Sequence, residues 1–215
     1  MMLTTASLLT LTVETQYGNV TGLEESDYNV FYAIPFAKPP TGNLRWAAPV
    51  KSDNWGNLDC TSDEYLPMCA QNNGQDGSED CLYLNIFQPK NVSMAAVMVY
   101  YHGGGFTGGT GLDMDGSSWA KDGIVLVTVN YRLGPFGWFY SEGNFIGNQG
   151  LRDQIFALQW VEDNIFEFGG DPDNITIFGG SAGSNSVFNI ISRKRQGNDV
   201  MYRGERSLAM FESGL

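Results

Sequence analysis

Apolar positions along the chain gather into short runs, and their spacing changes from one run to the next. Leu82–Phe87, closed by Pro89, and Ala95–His102, closed by glycines, have the length and residue types of strands. Gly123–Tyr131 (GIVLVTVNY) is apolar at consecutive positions, which predicts a strand covered on both faces. Over Gly150–Phe168 the period lengthens. Leu151, Ile155, Leu158, Val161 and Ile165 recur every third or fourth residue, the stripe of a helix with one apolar face. Gly169-Gly170-Asp171-Pro172 ends it. Asn174–Phe178 reads as a further strand and Ala182–Ile191 as a further helix. Nearer the N-terminus, Val13–Thr21 predicts a hairpin around Tyr17-Gly18-Asn19, and the Pro- and Gly-rich Ile34–Pro49 predicts an ordered irregular segment. Strands alternating with helices predict an α/β fold with a largely parallel sheet.

Composition narrows the function classes. A 42 % hydrophobic content over 215 residues suits one or two globular domains. A formal charge of −12 repels phosphate backbones, so no nucleic-acid partner is expected. The longest apolar run, Met94–Tyr101, is far short of the ~20 residues of a membrane span. Residues 1–12 form an uncertain segment. They are at best a weak signal-peptide candidate, because no Lys or Arg precedes Lys38 and threonines break the apolar run. Three sequons begin at Asn19, Asn91 and Asn174, and the last falls at the start of a core strand, which argues against its use. Of the three cysteines, Cys69 and Cys81 would, if bridged, close the polar loop AQNNGQDGSED and add about 3 kcal/mol.

The chemistry concentrates in two places. Gly179-Gly180-Ser181-Ala182-Gly183 spells G-x-S-x-G between a β-branched strand and a helix. A sharp strand-to-helix turn lifts the serine hydroxyl clear of the sheet and aims the following N–H, that of Ala182, at a substrate oxygen; small neighbours let strand and helix approach. Tyr101-His102-Gly103-Gly104-Gly105-Phe106 follows another strand, and its triple glycine exposes successive N–H groups of the kind that bind a developing oxyanion. Gly103, Gly105 and Gly108 also spell G-x-G-x-x-G. A dinucleotide site needs a helix to open at once and an acidic residue closing the next strand; here TGLDMDGSSW follows, and that strand ends in Asn130-Tyr131-Arg132. No cofactor is implied.

These residues resemble the type-B carboxylesterase and cholinesterase family. The resemblance runs from about Val13 to the C-terminus. It includes Ala33–Pro40, Gly42–Trp46, Ser78–Ile86, Asn130–Gly134 and Phe168–Pro172. It implies an α/β-hydrolase fold acting on small carboxylic esters, with residues 13–215 forming the N-terminal part of that domain. Ser181 corresponds to the nucleophile, and Gly104, Gly105 and Ala182 to the oxyanion donors. Cys69 and Cys81 correspond to a disulfide, which leaves Cys60 free. Arg45 pairs with Glu79, and His102 supports the loop. The three sequons point to an extracellular, secreted glycoprotein, while the N-terminus leaves open a missing leader, a misplaced start or a cytosolic protein.

The chain departs from the family in three ways. Gly180 stands where the family usually has Glu. No aromatic residue lies between Cys69 and Cys81 to stack on a quaternary ammonium, which argues against choline esters. The acid and histidine of the triad should follow Ser181, yet the only histidine is His102. The expectation is a fold truncated after the nucleophile elbow and its helix, with an open apolar strand edge and little or no turnover by this chain alone. The rival class is a non-enzymatic binding or adhesion protein on the same fold.

Overall fold

The computed structural model describes residues 9–63, 67–195 and 209–212. Strands β1 (Thr10–Thr15), β2 (Gly18–Glu24), β3 (Tyr28–Pro35), β4 (Gly56–Cys60), β5 (Tyr83–Pro89), β6 (Ala95–Tyr101) and β7 (Val125–Val129) are followed by a small hairpin, β8 (Tyr140–Ser141) and β9 (Phe145–Ile146), and then by β10 (Gly170–Gly180) and β11 (Ala209–Glu212). The helices are α1 (Ser117–Lys121), α2 (Gly134–Trp138), α3 (Gln149–Asn164) and α4 (Ala182–Arg195). All strands but β8 and β9 join one sheet, in the order β1-β2-β3-β5-β7-β6-β10-β11, with β4 beside β2.

The sheet is mixed, which corrects the expectation of a largely parallel one. Tight turns join β1 to β2 and β2 to β3, and such connections permit only antiparallel pairing. β5 is antiparallel to both β3 and β7. The parallel half is β7-β6-β10-β11, where α1, α3 and α4 supply the crossovers. β11 is a four-residue strand that follows the elbow helix. It pairs with Ile177–Gly180 and covers that edge of β10.

Alternation along the central strands separates two cores. Leu84, Ile86, Val97, Val99, Tyr101, Val125, Val127, Val129, Ile175 and Ile177 face the larger one, with Ile155, Leu158 and Val161 of α3 and Val187 of α4. Phe87, Met98 and Leu126 face the smaller one, where Trp119 of α1, Tyr100 and Phe178 pack against them. Cys60, at the end of β4, is buried in the larger core and unpaired. The α3 stripe is buried as its spacing predicts, and a 3-10 turn over Ile165–Phe168 ends at left-handed Gly169. β10 starts earlier than the sequence predicts. A register shift between Gly170 and Ile175 bulges the intervening residues outward, so Asn174 is exposed. This removes the burial argument against its sequon. No helix among the described residues is long and apolar enough to cross a membrane.

Candidate active site

β10 and β6 run parallel and end together, with Gly179 beside Tyr101. Their C-terminal ends place the two glycine-bearing segments side by side. Ser181 sits between β10 and α4 with φ 52, a left-handed conformation that a non-glycine residue adopts only where its surroundings impose it, and it is exposed. The imposing contacts are visible. A Cβ on Gly179 would lie 2.5 Å from the Tyr101 carbonyl oxygen, and one on Gly183 would run into the same atom. A Cβ on Gly103 would fall 3.0 Å from Gly180 O. Close backbone approach therefore demands glycine at 179 and 183 and makes position 103 a tight fit. Gly180 is not among them: a Cβ there meets nothing within 4 Å, and its φ is ordinary.

The glycine loop after β6 is held at several points. His102 is buried, its ring stacks on Tyr131 at 4.3 Å, and its Nδ1–H donates to Gly103 O at 2.8 Å. The Tyr131 hydroxyl donates to His102 O at 2.6 Å. Burial holds the imidazole below its ordinary pKa, against smaller upward effects from Gly103 and Asp113. The imidazole is thus both stacked and hydrogen-bonded within its own segment of chain. Gly104 and Gly105 have positive φ, and Gly104 O accepts from the N–H groups of Thr107 and Gly108. Among the described residues no protein acceptor takes the Gly104 or Gly105 N–H. The Ala182 N–H lies in the first turn of α4, where helical N–H groups lack intrahelical acceptors. This corner can offer unpaired N–H donors beside an exposed hydroxyl, the requirement for stabilising a tetrahedral oxyanion.

Around this corner lie supports of longer reach. Arg45 makes a forked pair with Glu79, Nε–Oε2 2.5 Å and Nη2–Oε1 2.8 Å, and Glu79 pushes the guanidinium pKa up. Cys69 and Cys81 are joined in a disulfide.

Sequence reasoning assigned no role to six further residues. Arg132, after β7, forks onto Asp153 of α3 with both bonds at 2.7 Å, both residues being buried, and Arg132 Nη1 donates to Arg45 O at 2.9 Å. Burial pushes the Asp153 carboxyl up while Arg132 pulls it back down. Asn130 Oδ1 accepts from Gly111 N at 2.7 Å, fixing the exit of the loop. Gln154 Nε2 donates to Ser186 Oγ at 2.9 Å, tying α3 to α4. Gln71 accepts from Gly109 N at 3.0 Å and donates to Gly109 O at 3.2 Å. The one available signal was the cluster of polar residues, Asn130-Tyr131-Arg132, directly after a buried strand. Among the described residues no cluster of His, Cys, Asp and Glu could hold a metal ion.

The family model described as "Carboxylesterase family" matches residues 10–200. The chain belongs to the carboxylesterase family. Similar proteins include the juvenile hormone esterase of Tribolium castaneum, 44 % identical over 202 residues, covering 86 % of this chain and 34 % of that protein. The para-nitrobenzyl esterase of Bacillus subtilis is 44 % identical over 166 residues, covering 69 % of this chain and 34 % of that protein. The solved structure of the Geobacillus stearothermophilus carboxylesterase at pH 6.8 superposes with a TM-score of 0.81 at 39 % identity, covering 92 % of this chain and 43 % of that one. This carboxylesterase-family chain thus has the α/β-hydrolase fold, and it spans less than half the length of these relatives.

Proposed function

We propose that the whole protein is a serine hydrolase of small carboxylic esters, with residues 13–215 forming part of its α/β-hydrolase domain. In this reading Ser181 Oγ attacks the acyl carbon and the alcohol leaves. Water then cleaves the acyl-serine bond, regenerating the hydroxyl and releasing the acid. Gly104, Gly105 and Ala182 N–H stabilise the oxyanion of each tetrahedral intermediate. The observation that carries the reading is Ser181 at φ 52, exposed on an elbow whose glycines are fixed by contact with the loop bearing those N–H groups. His102 is committed to Gly103 O and to the Tyr131 ring, so the general base is not assigned to it. With no other histidine in the sequence, residues 1–215 alone are expected to lack turnover.

The whole protein is expected to hydrolyse p-nitrophenyl butyrate and to be labelled at Ser181 by a fluorophosphonate, with Ser181→Ala abolishing both. Turnover surviving Ser181→Ala overturns the proposal. A protein that neither turns over ester nor takes the label is a binding protein on a hydrolase fold. The disulfide and the exposed Asn19, Asn91 and Asn174 sequons support a secreted glycoprotein. Glycosidase treatment of the native protein is expected to lower its mass.

A further inference from the structure

The segment Gly103–Gly109 contains five glycines and takes positive φ at Gly104, Gly105, Phe106 and Gly109. So much glycine gives the backbone little stiffness of its own, and the direction of its N–H groups has to be imposed from outside. The entry is imposed by the His102–Tyr131 stack and by Gly103 lying against Gly180. The middle is a tight turn on Gly104 O, and Phe106 O accepts from Gly134 N at 2.8 Å. The exit, Gly109, is held differently. Both of its backbone polar groups pair with one side-chain amide, that of Gln71, 38 residues earlier in the chain.

We infer that Gln71 is a positioning residue for the glycine loop, and that through it the Cys69–Cys81 disulfide loop sets where the Gly104 and Gly105 N–H groups point. Gln71 Oε1 accepts from Gly109 N at 3.0 Å, and Nε2 donates to Gly109 O at 3.2 Å and to Cys69 O at 3.1 Å. Every hydrogen of the amide is used, so its orientation is fixed. The third bond ends on the carbonyl of a disulfide cysteine. Gln71 is itself anchored inside the closed loop, its N–H donating to Asp76 O at 3.0 Å. Gly77 lies so close to the cysteine that a Cβ there would fall 2.6 Å from Cys69 O. The path from the disulfide to Gly109 runs from Cys69 O through the Gln71 side-chain amide to both backbone polar groups of Gly109. At the far end, Gly109 is seated against the His102 ring at the base of the same loop. The inference that this matters for catalysis rests on reading Gly104 and Gly105 as oxyanion donors; the mechanical coupling does not.

The test uses the whole protein and two kinds of readout. Gln71→Met keeps the length of the side chain and removes its hydrogen bonds. Gln71→Glu keeps the bond from Gly109 N and loses the two donations. In Gln71→Met, backbone amide exchange over residues 102–110 is expected to quicken about tenfold, with α3 and β7 unchanged. Esterase kcat is expected to fall about 10- to 100-fold, the scale of a small misplacement of catalytic groups, while KM stays within about twofold. Affinity for a trifluoromethyl ketone, which forms a tetrahedral adduct, falls with kcat. Gln71→Glu lies between the two. Reducing the disulfide in the wild-type protein quickens the same amides and adds little in Gln71→Met, because both act through one path. Exchange unchanged in both variants, or reduction effects that add in full, overturns the coupling. A normal kcat with quickened exchange overturns the catalytic half. Absence of Ser181-dependent turnover in the wild-type protein would sink the proposed function instead, and the exchange data would still judge Gln71.

Discussion

At the scale of single residues, the elbow separates glycines that the fold requires from one that it does not. Gly183→Ala drives a Cβ into the Tyr101 carbonyl. Overpacking of this kind costs about 1–3 kcal/mol, and urea unfolding of Gly183→Ala should show a loss of that size or greater. Gly180→Ala meets open space at an ordinary φ. It should leave stability unchanged or raise it by about 0.4–1 kcal/mol through the unfolded chain. Equal losses in the two variants would refute the contact argument. His102 supplies a pH signature. Its folded pKa is depressed by burial, so the unfolded chain binds the proton more readily. The associated stability is present above the ordinary histidine value of about 6.5 and is lost as pH falls below it. The slope of unfolding free energy against pH between 7 and 5 should therefore be shallower in His102→Gln than in the wild type.

At the scale of elements, a buried ion pair holds three pieces of chain together. Arg132 joins the exit of β7 to α3 through Asp153, and to the Gly42–Trp46 segment through Arg45 O. Asp153→Asn leaves a guanidinium that is 2 % exposed without its counter-charge. The expected loss is about 3–5 kcal/mol, with much of it recovered when Arg132→Met is added; chemical denaturation of the two variants decides. This pair also shows what the sequence could not reveal. Ser181, Gly104 and Gly105 announce themselves because their chemistry is local, a few residues in fixed spacing. Asp153 is separated from Arg132 by 21 residues and Gln71 from Gly109 by 38, and nothing in either neighbourhood names the other. Among the elements, β5, β6, β7 and α3 were legible because apolar runs and a helical stripe set them apart. β3 was not. Its end at Pro35 merges into the Pro-rich segment, so Ile34 was read as irregular chain while it pairs with Leu84. α1 and α2, at five residues each, are too short to show a period.

At the scale of the whole molecule, the main path of the sheet divides into an antiparallel half that opens the chain, with β4 lying parallel beside β2, and a parallel half that bears the elbow. This division follows from loop length rather than from any property of the strands themselves. Hairpin turns come first, and helical crossovers begin only after β6. The outer strands are β1 and, among the described residues, β11. β1 shows exposed Thr10, Thr12 and Glu14 alternating with more buried positions, a polar edge that discourages further pairing. β11 covers only Ile177–Gly180 of the longer β10. The 215-residue chain expressed alone is therefore expected to self-associate through the β10–β11 side, eluting earlier from a sizing column as concentration rises. A sharp monomer at all concentrations, with cooperative unfolding, would contradict this.

Cys60 closes β4, the strand that lies beside β2 off the main path of the sheet. It is 1 % exposed, and burial pushes its thiol up to about 12. Neither a dye nor an oxidant can reach that sulfur in the folded protein, and little thiolate would meet it if it did. The residue is thus a built-in clock: the rate at which a thiol reagent consumes it, with the disulfide intact, counts how often β4 peels away from its neighbours.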